Sequence, residues 1–217
     1  MDVELPGYLD AELAEVFGIV AGDGYASTRL RWLFVETSAE EKIYIDNHVI
    51  PLFNSVFKTN LKGRFFNRNG IKNTYGFYIC SKKLALFLDS FNLAMSHNYI
   101  RIPKEVIFNR DPNILASFMR GYIDTDGCLS FYKNSHGTYS YPRITLLSTS
   151  ENLIYDCIRL LEKLGFKGSH WINKKYKKSW RDGHKYELKG NSMLSKWMEL
   201  IGFKNPVKFS KFLIWKK

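Results

Sequence analysis

Two aspartates define the chemistry open to this sequence. Asp23 closes the stretch Val16-Phe17-Gly18-Ile19-Val20-Ala21-Gly22-Asp23-Gly24, and Asp126 closes Met119-Arg120-Gly121-Tyr122-Ile123-Asp124-Thr125-Asp126-Gly127. Each stretch is an apolar helical run ending in Asp-Gly, in which Gly24 and Gly127 suit the left-handed residue that stops a helix. A carboxylate there faces the negative end of the helix dipole, a placement that costs roughly 0.3–1 kcal/mol. Something positive must offset it. A divalent cation such as Mg2+ accepts a few carboxylate ligands and keeps several waters. A single Asp-Gly reads equally well as a turn, and it is the repetition that argues for a site.

The elements that must position the two acids follow from the spacing of small residues. Ala14, Gly18 and Gly22 recur every fourth position in one run, and Ser117, Gly121 and Thr125 do so in the other. That periodicity lines one helix face with small side chains, so two such helices can pack backbone against backbone. Glycine inside a helix costs about 1 kcal/mol relative to alanine, which close contact between the helices would justify. Paired in this way, the helices bring Asp23 and Asp126 together.

These two stretches resemble the motifs of the LAGLIDADG homing endonucleases, in their single-chain form with two motifs. The resemblance implies an α+β fold of two pseudo-twofold-related αββαββα lobes, whose antiparallel sheets form a DNA-binding saddle. It implies catalytic acids at Asp23 and Asp126, with the backbone carbonyls of Gly22 and Thr125 completing the protein ligands to metal. The expected cofactor is Mg2+, with Mn2+ able to substitute and Ca2+ supporting binding without cleavage. Ala21 departs from the acidic residue common at that motif position, whereas Asp124 retains it; that residue is usually structural at the helix interface. The implied activity is site-specific hydrolysis of one phosphodiester per strand of double-stranded DNA, leaving short 3′ overhangs, by an intron-encoded enzyme. A saddle covering about two turns of duplex touches roughly 20 base pairs. The alternative on the same scaffold is an intron RNA maturase or a non-cleaving DNA-binding regulator. The residues for protein splicing are absent from the two ends, so an intein is not expected.

The rest of the chain repeats around the motifs. Asp10 is a candidate N-cap for the first motif helix. Arg29, Arg31 and Leu33 alternate with Leu30, Trp32 and Phe34, which predicts a strand. Ser38-Ala39-Glu40-Glu41 forms a capping box opening a helix to about Phe57, and Ser148-Thr149-Ser150-Glu151 repeats it. Asn69-Gly70 and Asp182-Gly183 each mark a turn between two strand-like runs. Ser81 starts a short helix carrying Leu84, Phe87, Leu88 and Phe91, matched later by Leu194, Met198 and Ile201. Both halves therefore read helix, two strands, helix, two strands, helix, with an insertion in the second copy between Cys128 and Arg143. The expected division is a first lobe over 1–93, a linker over 94–113 and a second lobe over 114–217. The basic, aromatic tail from Lys204 is expected to form a final helix or a loop over the second half.

The 217 residues carry a formal net charge of +11, which favours a polyanionic partner. Lys58, Lys62, Arg64, Arg68 and Lys72 fall between Phe53 and Ile79 with no acid among them. Lys174, Lys175, Lys177, Lys178, Arg181 and Lys185 dominate the corresponding stretch of the second half, interleaved with Trp171, Tyr176 and Trp180. With Arg29, Arg31, Tyr139, Tyr141 and Arg143, these are the candidate DNA contacts, because a twisted ribbon fits the major groove. The same alternation also marks the solvent face of any half-buried sheet. Glu36 and Ser148 lie where the family often has a polar residue near the catalytic waters. Lys204, Lys208 and Lys211, with His97 or Arg101 in the first half, are the candidate basic helpers, and Lys208 and Lys211 are assigned to catalysis. His136, His170 and His184 have no partner at ligand spacing, so zinc is not expected. Cys80, Cys128 and Cys157 are expected to be free thiols in a reducing, intracellular compartment. No apolar run approaches the ~20 residues that span a membrane. Both motif helices come from one chain, so a monomer is expected.

Overall fold

The structure is a computed structural model that describes residues 2–68, 71–94, 100–133, 139–174 and 181–216. Helix α1 spans Ala11–Asp23, and Asp10 caps it by accepting from the Leu13 amide at 2.8 Å. Helix α6 spans Pro112–Asp126, with Asp111 as its cap and Pro112 in the first turn, where the missing N–H is harmless. The two helices meet along their small residues. A Cβ on Gly18 would collide with the Phe118 carbonyl oxygen and come within 2.8 Å of the Tyr122 nitrogen. One on Gly121 would strike the Glu15 carbonyl oxygen and sit 3.0 Å from the Ile19 nitrogen. Val16, Phe17, Ile19 and Val20 of α1, with Phe118, Met119, Tyr122 and Ile123 of α6, are fully buried around this seam.

Each motif helix feeds a four-stranded antiparallel sheet. The first contains β1 (Gly24–Ser27), β2 (Trp32–Ser38), β3 (Arg64–Arg68) and β4 (Ile71–Cys80), in the order β1-β2-β4-β3. The second contains β5 (Cys128–Lys133), β6 (Tyr139–Ser148), β7 (Ser169–Asn173) and β8 (Gly183–Lys189), in the equivalent order β5-β6-β8-β7. In the first sheet Leu33, Val35, Phe77 and Ile79 face the core, and in the second Leu129, Ile144, Leu146 and Leu188 do so. The intervening odd or even positions point to the opposite, outer face. In the second half, α7 (Glu151–Lys163) and α8 (Asn191–Leu200) pack on the core face of the sheet. Helix α4 (Lys82–Ser90), capped by Ser81, holds the α8 position in the first half. The α+β architecture and the duplicated order of elements match the expectation.

Several local expectations are corrected. Gly24 and Gly127 are extended, at φ −87° and −86°, not left-handed. Glycine is needed there because the chain turns back so tightly that a Cβ would press on the Val20 or the Ile123 backbone. Arg29 and Arg31 lie in the turn between β1 and β2, and Arg31 itself takes the left-handed conformation, at φ 59°. The predicted single helix after Ser38 is a composite. A 3-10 turn over Ala39–Glu41 leads into α2 (Lys42–Tyr44), wider π turns over Ile45–Val49, and α3 (Ile50–Phe57). Neither capping box forms as read: Ser38 accepts from the Glu40 amide, and Ser150 rather than Ser148 caps α7. Between the halves lies a short α5 (Lys104–Ile107), and the tail from Pro206 to Lys216 is helix α9. Asn69-Gly70 lies outside the described residues. Among the described residues, no helix is long and apolar enough to cross a membrane, and all three cysteines are free.

Candidate active site

The seam between α1 and α6 is tied electrostatically as well as sterically. Glu15, almost fully buried on α1, accepts from Arg120 of α6 at 2.5 and 3.1 Å and sits 2.7 Å from Nε2 of His48. Burial alone would raise the Glu15 carboxyl; the hydrogen bonds from His48 and Arg120 outweigh it and hold the group below its usual range. This pairing fixes the register of the two helices, and hence the relation of their C-terminal ends.

At those ends the acids converge. A Cβ on Gly22 would lie 3.3 Å from the Asp126 Cβ, so the residue beside Asp23 touches the opposite acid. Burial, then the charges of Asp126 and Glu41, push Asp23 up to about 7 from an ordinary 3.8, while Lys208 pulls it down. Asp23 is partly buried in a cleft lined by Gly22, Gly24, Tyr25, Trp32, Phe34, Glu36 and Thr74. Glu36 accepts from the Thr74 hydroxyl within this cleft.

The second motif is buttressed from the tail. Asp124 is fully buried, and its Oδ2 accepts from the Lys204 amide at 2.6 Å and the Asn205 amide at 3.2 Å. Burial pushes it up to about 6, against those two amides and the Lys208 charge. The Lys208 ammonium, itself buried, donates to the Asp124 carbonyl at 2.6 Å and the Thr125 carbonyl at 3.3 Å. Burial holds it below its usual range even though Asp124, Glu41 and Asp23 favour the charged form. Asn205 joins the halves: its side-chain amide donates to the Asp124 carbonyl at 2.8 Å and to Glu41 at 2.6 Å.

The expected site residues divide accordingly. Asp23, Asp126, Gly22, Thr125, Lys208 and Glu36 are brought to this region, and Glu41 and Asn205 join them. Sequence reading missed those two: Glu41 looked like a capping-box partner, and Asn205 acts across 81 residues from Asp124. Lys204 enters through its backbone and its side chain is exposed. Lys211 lies instead beside Cys128, Ser130 and Ile214, where α9 meets β5. Arg101 is committed elsewhere, making two 3.0 Å bonds to buried Asp156 on α7. Ser148 is also occupied locally, accepting from the Ser150 amide at 3.1 Å. His97 and His136 lie outside the described residues.

The cationic candidates concentrate on the outer face of the second sheet. Glu187 is buried there and gathers Lys185 at 2.7 Å, Lys189 at 3.5 Å and Arg143 at 3.7 Å. Burial would raise Glu187, but the Lys185 hydrogen bond and charge, with Thr145 and Arg143, hold it low. Arg143 also lies 3.6 Å over the Tyr132 ring, and Tyr141 is exposed beside it. Lys174 and Arg181 are exposed at either end of the β7–β8 connection, whereas Lys175, Lys177 and Lys178 lie outside the described residues. On the first sheet Arg64 is exposed; Arg68 and Lys72 there, and Tyr139 on β6 of the second sheet, lie on strands, but their side chains fall outside the described set.

The donor set fits a small divalent cation. Asp126 and Glu41 lie close enough to Asp23 to add to the rise that burial causes, and the Lys208 charge opposes them. Hard oxygen donors in small number suit Mg2+, which retains waters. Among the described residues there is no cluster of three or more His, Cys, Asp and Glu side chains in ligating geometry, so any such site is a sparse one.

Comparison with known proteins places this geometry. Residues 113–202 match the family described as LAGLIDADG-like domain. An uncharacterised protein of Methanocaldococcus jannaschii is 27% identical over 164 residues, covering 75% of this chain and 57% of that protein. Glutamine--fructose-6-phosphate aminotransferase of the same organism is 24% identical over 212 residues, 96% of this chain but 18% of its own length. The chain thus spans less than two thirds of these relatives. Among solved structures, the homing endonuclease I-DmoI in complex with DNA and Mn superposes with a TM-score of 0.55 at 15% identity, covering 88% of this chain and 96% of that one. Full-length DUF199/WhiA from Thermatoga maritima gives 0.60 at 11% identity, covering 99% of this chain and 63% of that one. The fold is therefore that of the LAGLIDADG proteins, with both motif helices carried in one polypeptide.

Proposed function

We propose that the protein is a site-specific endonuclease that hydrolyses one phosphodiester in each strand of double-stranded DNA, with Asp23 and Asp126 holding divalent metal. The observation that carries this reading is the convergence of the two motif acids and Glu41 on one end of the α1–α6 seam, where burial first, and then the charges of Asp126 and Glu41, raise Asp23 to about 7. When bound, the cation would activate water and stabilise charge on the leaving oxygen. Asp23 and Asp126 would hold it, with the carbonyls of Gly22 and Thr125 beside them. Lys208 offsets part of the negative charge from behind the second acid, and Asn205 and Asp124 fix the helix end that carries it. The cations around Glu187 would meet phosphates and base edges. A monomer acting on roughly 20 base pairs fits two such sites in one chain. Mg2+ is the working metal in this reading, with Mn2+ able to replace it; the solved complexes of I-DmoI with DNA include Mg, Mn and Ca.

A second reading, nucleic-acid binding without cleavage, has one observation behind it. The Thr125 carbonyl, expected to ligate metal, already accepts from Lys208. The two readings separate in one experiment: cleavage of the protein's own coding locus, with any intervening sequence deleted, in Mg2+, beside a binding titration in Ca2+. Asp23→Asn and Asp126→Asn should each lower cleavage of both strands by on the order of 10³-fold, the several kcal/mol that metal supplies. Binding in Ca2+ should survive. Full double-strand cleavage by Asp126→Asn would overturn the role given to the two acids, and binding by the wild type with no cleavage in Mg2+ or Mn2+ would leave the nuclease reading without support.

A further inference from the structure

The outer face of the second sheet gathers its cations around a buried acid. Lys185, Glu187 and Lys189 alternate along β8, so all three share this face. The pairing register sets Thr145 opposite Glu187 and Arg143 opposite Lys189. The Glu187 side chain is 2% exposed, and both of its oxygens face partners. Oε1 accepts from the Thr145 hydroxyl at 3.1 Å and from Lys185 at 2.7 Å, and Oε2 meets Lys189 at 3.5 Å. Both ammonium groups also stand over the Trp171 ring, at 4.9 and 5.0 Å. Arg143 is held differently. Its guanidinium lies 3.6 Å over the Tyr132 ring, and Nη1 is 3.7 Å from Glu187, too far for a hydrogen bond. Stacking and charge place the group, and the pair with Glu187 leaves its N–H donors unspent. Arg101 and Arg120, by contrast, commit theirs to Asp156 and Glu15.

A planar guanidinium placed in advance presents two parallel donors, which match the O6 and N7 acceptors of a guanine edge in the major groove. An ammonium has no such plane and meets phosphate as a point charge. Three cations this close also attract any phosphate, and a carboxylate among them restrains that sequence-independent pull. We propose that Arg143 reads a guanine, and that Glu187 is the positioning residue that keeps this reading selective, by orienting Arg143 and limiting non-specific attraction. Lys185 and Lys189 take phosphates. The inference rests on the reading of the second sheet as a duplex-DNA surface, but its test does not require cleavage.

The test is selection by the full chain, in Ca2+, from a pool of randomised duplexes. Binding titrations then compare the selected site, its single-base variants and a random duplex. The wild type should favour guanine over the other bases at one selected position by about tenfold. Arg143→Lys keeps the charge but loses the fork, so that preference should fall below about twofold while random-duplex affinity changes by less than about twofold. Glu187→Gln should bind random duplex about threefold more tightly and lose about threefold of the guanine preference. Simple destabilisation weakens both together and does not produce that pattern. Thr145→Val removes one hydrogen bond to the carboxylate without changing charge. It should lower the guanine preference and leave random-duplex affinity within about twofold, and it decides the positioning role if thermal melts show Glu187→Gln to be unfolded. No guanine preference in the wild type, an unchanged one in Arg143→Lys, or an unchanged one in Glu187→Gln and Thr145→Val would overturn the proposal while leaving duplex binding intact. A wild type that binds no duplex would instead overturn the DNA reading of the second sheet, and this proposal with it.

Discussion

Two residues past each motif aspartate, the halves part company. Tyr25 leads into the row Tyr25–Phe34–Tyr78, three rings with no charge among them. Cys128 leads into Cys128–Thr145–Glu187, a small polar row ending on a buried carboxylate ringed by Arg143, Lys185 and Lys189. The strand order and antiparallel pairing are the same in both sheets. What the α1–α6 seam constrains has therefore been kept, and what faces outward has been free to specialise. Aromatic rings sit on one side of the acids and a cluster of cations around a carboxylate on the other.

The seam should be the least forgiving part of the molecule. Replacing Glu15 by Ala removes the buried carboxylate that pairs half-buried Arg120 and His48. Breaking a fully buried pair costs about 3–5 kcal/mol, and the loss here should lie near the lower end of that range because Arg120 keeps its bonds to Ser117 and Ile201. Denaturant melts should register it as a lowered midpoint. A loss under about 1 kcal/mol would mean the two helices are not locked through this pair. Gly121→Ala comes next, at about 1–3 kcal/mol, because its Cβ meets the Glu15 backbone. Gly7, where an added methyl would find nothing within 4 Å, serves as the control and should tolerate alanine within about 0.5 kcal/mol.

A pH scan distinguishes the acid ends. Asp23 is raised from 3.8 to about 7 on folding, so between those values the native state binds more protons than the unfolded chain. Its ionisation therefore costs stability, with no cost below about pH 4 and the full cost above about pH 7. Without metal, Asp23→Asn should stabilise the fold at pH 8 by on the order of 2 kcal/mol and leave it unchanged at pH 4. Divalent cation should erase the difference. A variant destabilised at pH 8 would show that Asp23 is held by partners that favour its charge.

The smallest effects should divide the two sheets. If Lys185 and Lys189 each neutralise one phosphate, as proposed, Lys185→Ala and Lys189→Ala should each reduce the slope of log affinity against log salt by about 0.9. Tyr25→Ala should leave that slope alone. Equal slopes for all three variants would abolish the contrast between the faces.

Much of the frame was legible in the sequence because it rests on local rules. Small residues at fourfold spacing gave the seam, Asp10 and Ser81 gave two caps, and alternation gave most strands. The β1–β2 turn escaped because Arg29-Leu30-Arg31-Trp32 alternates like a strand, and Arg31 enters the left-handed region without being Gly or Asn. The acid ends were legible only in part. Asp23 and Asp126 announce themselves by repetition, whereas Glu41 and Asn205 acquire their role by meeting each other across 164 residues. No window of neighbouring residues contains that information.

The same bond sets an order of events during synthesis. Asp124 and Glu41 emerge from the ribosome well before Asn205 and Lys208, which cap the helix end between them. Until the segment through residue 208 has been released, the nascent chain has both aspartates but not the bridge from the end of α6 to Glu41. The end of α6 is thereby braced last, after every residue lining the Asp23 cleft has already emerged.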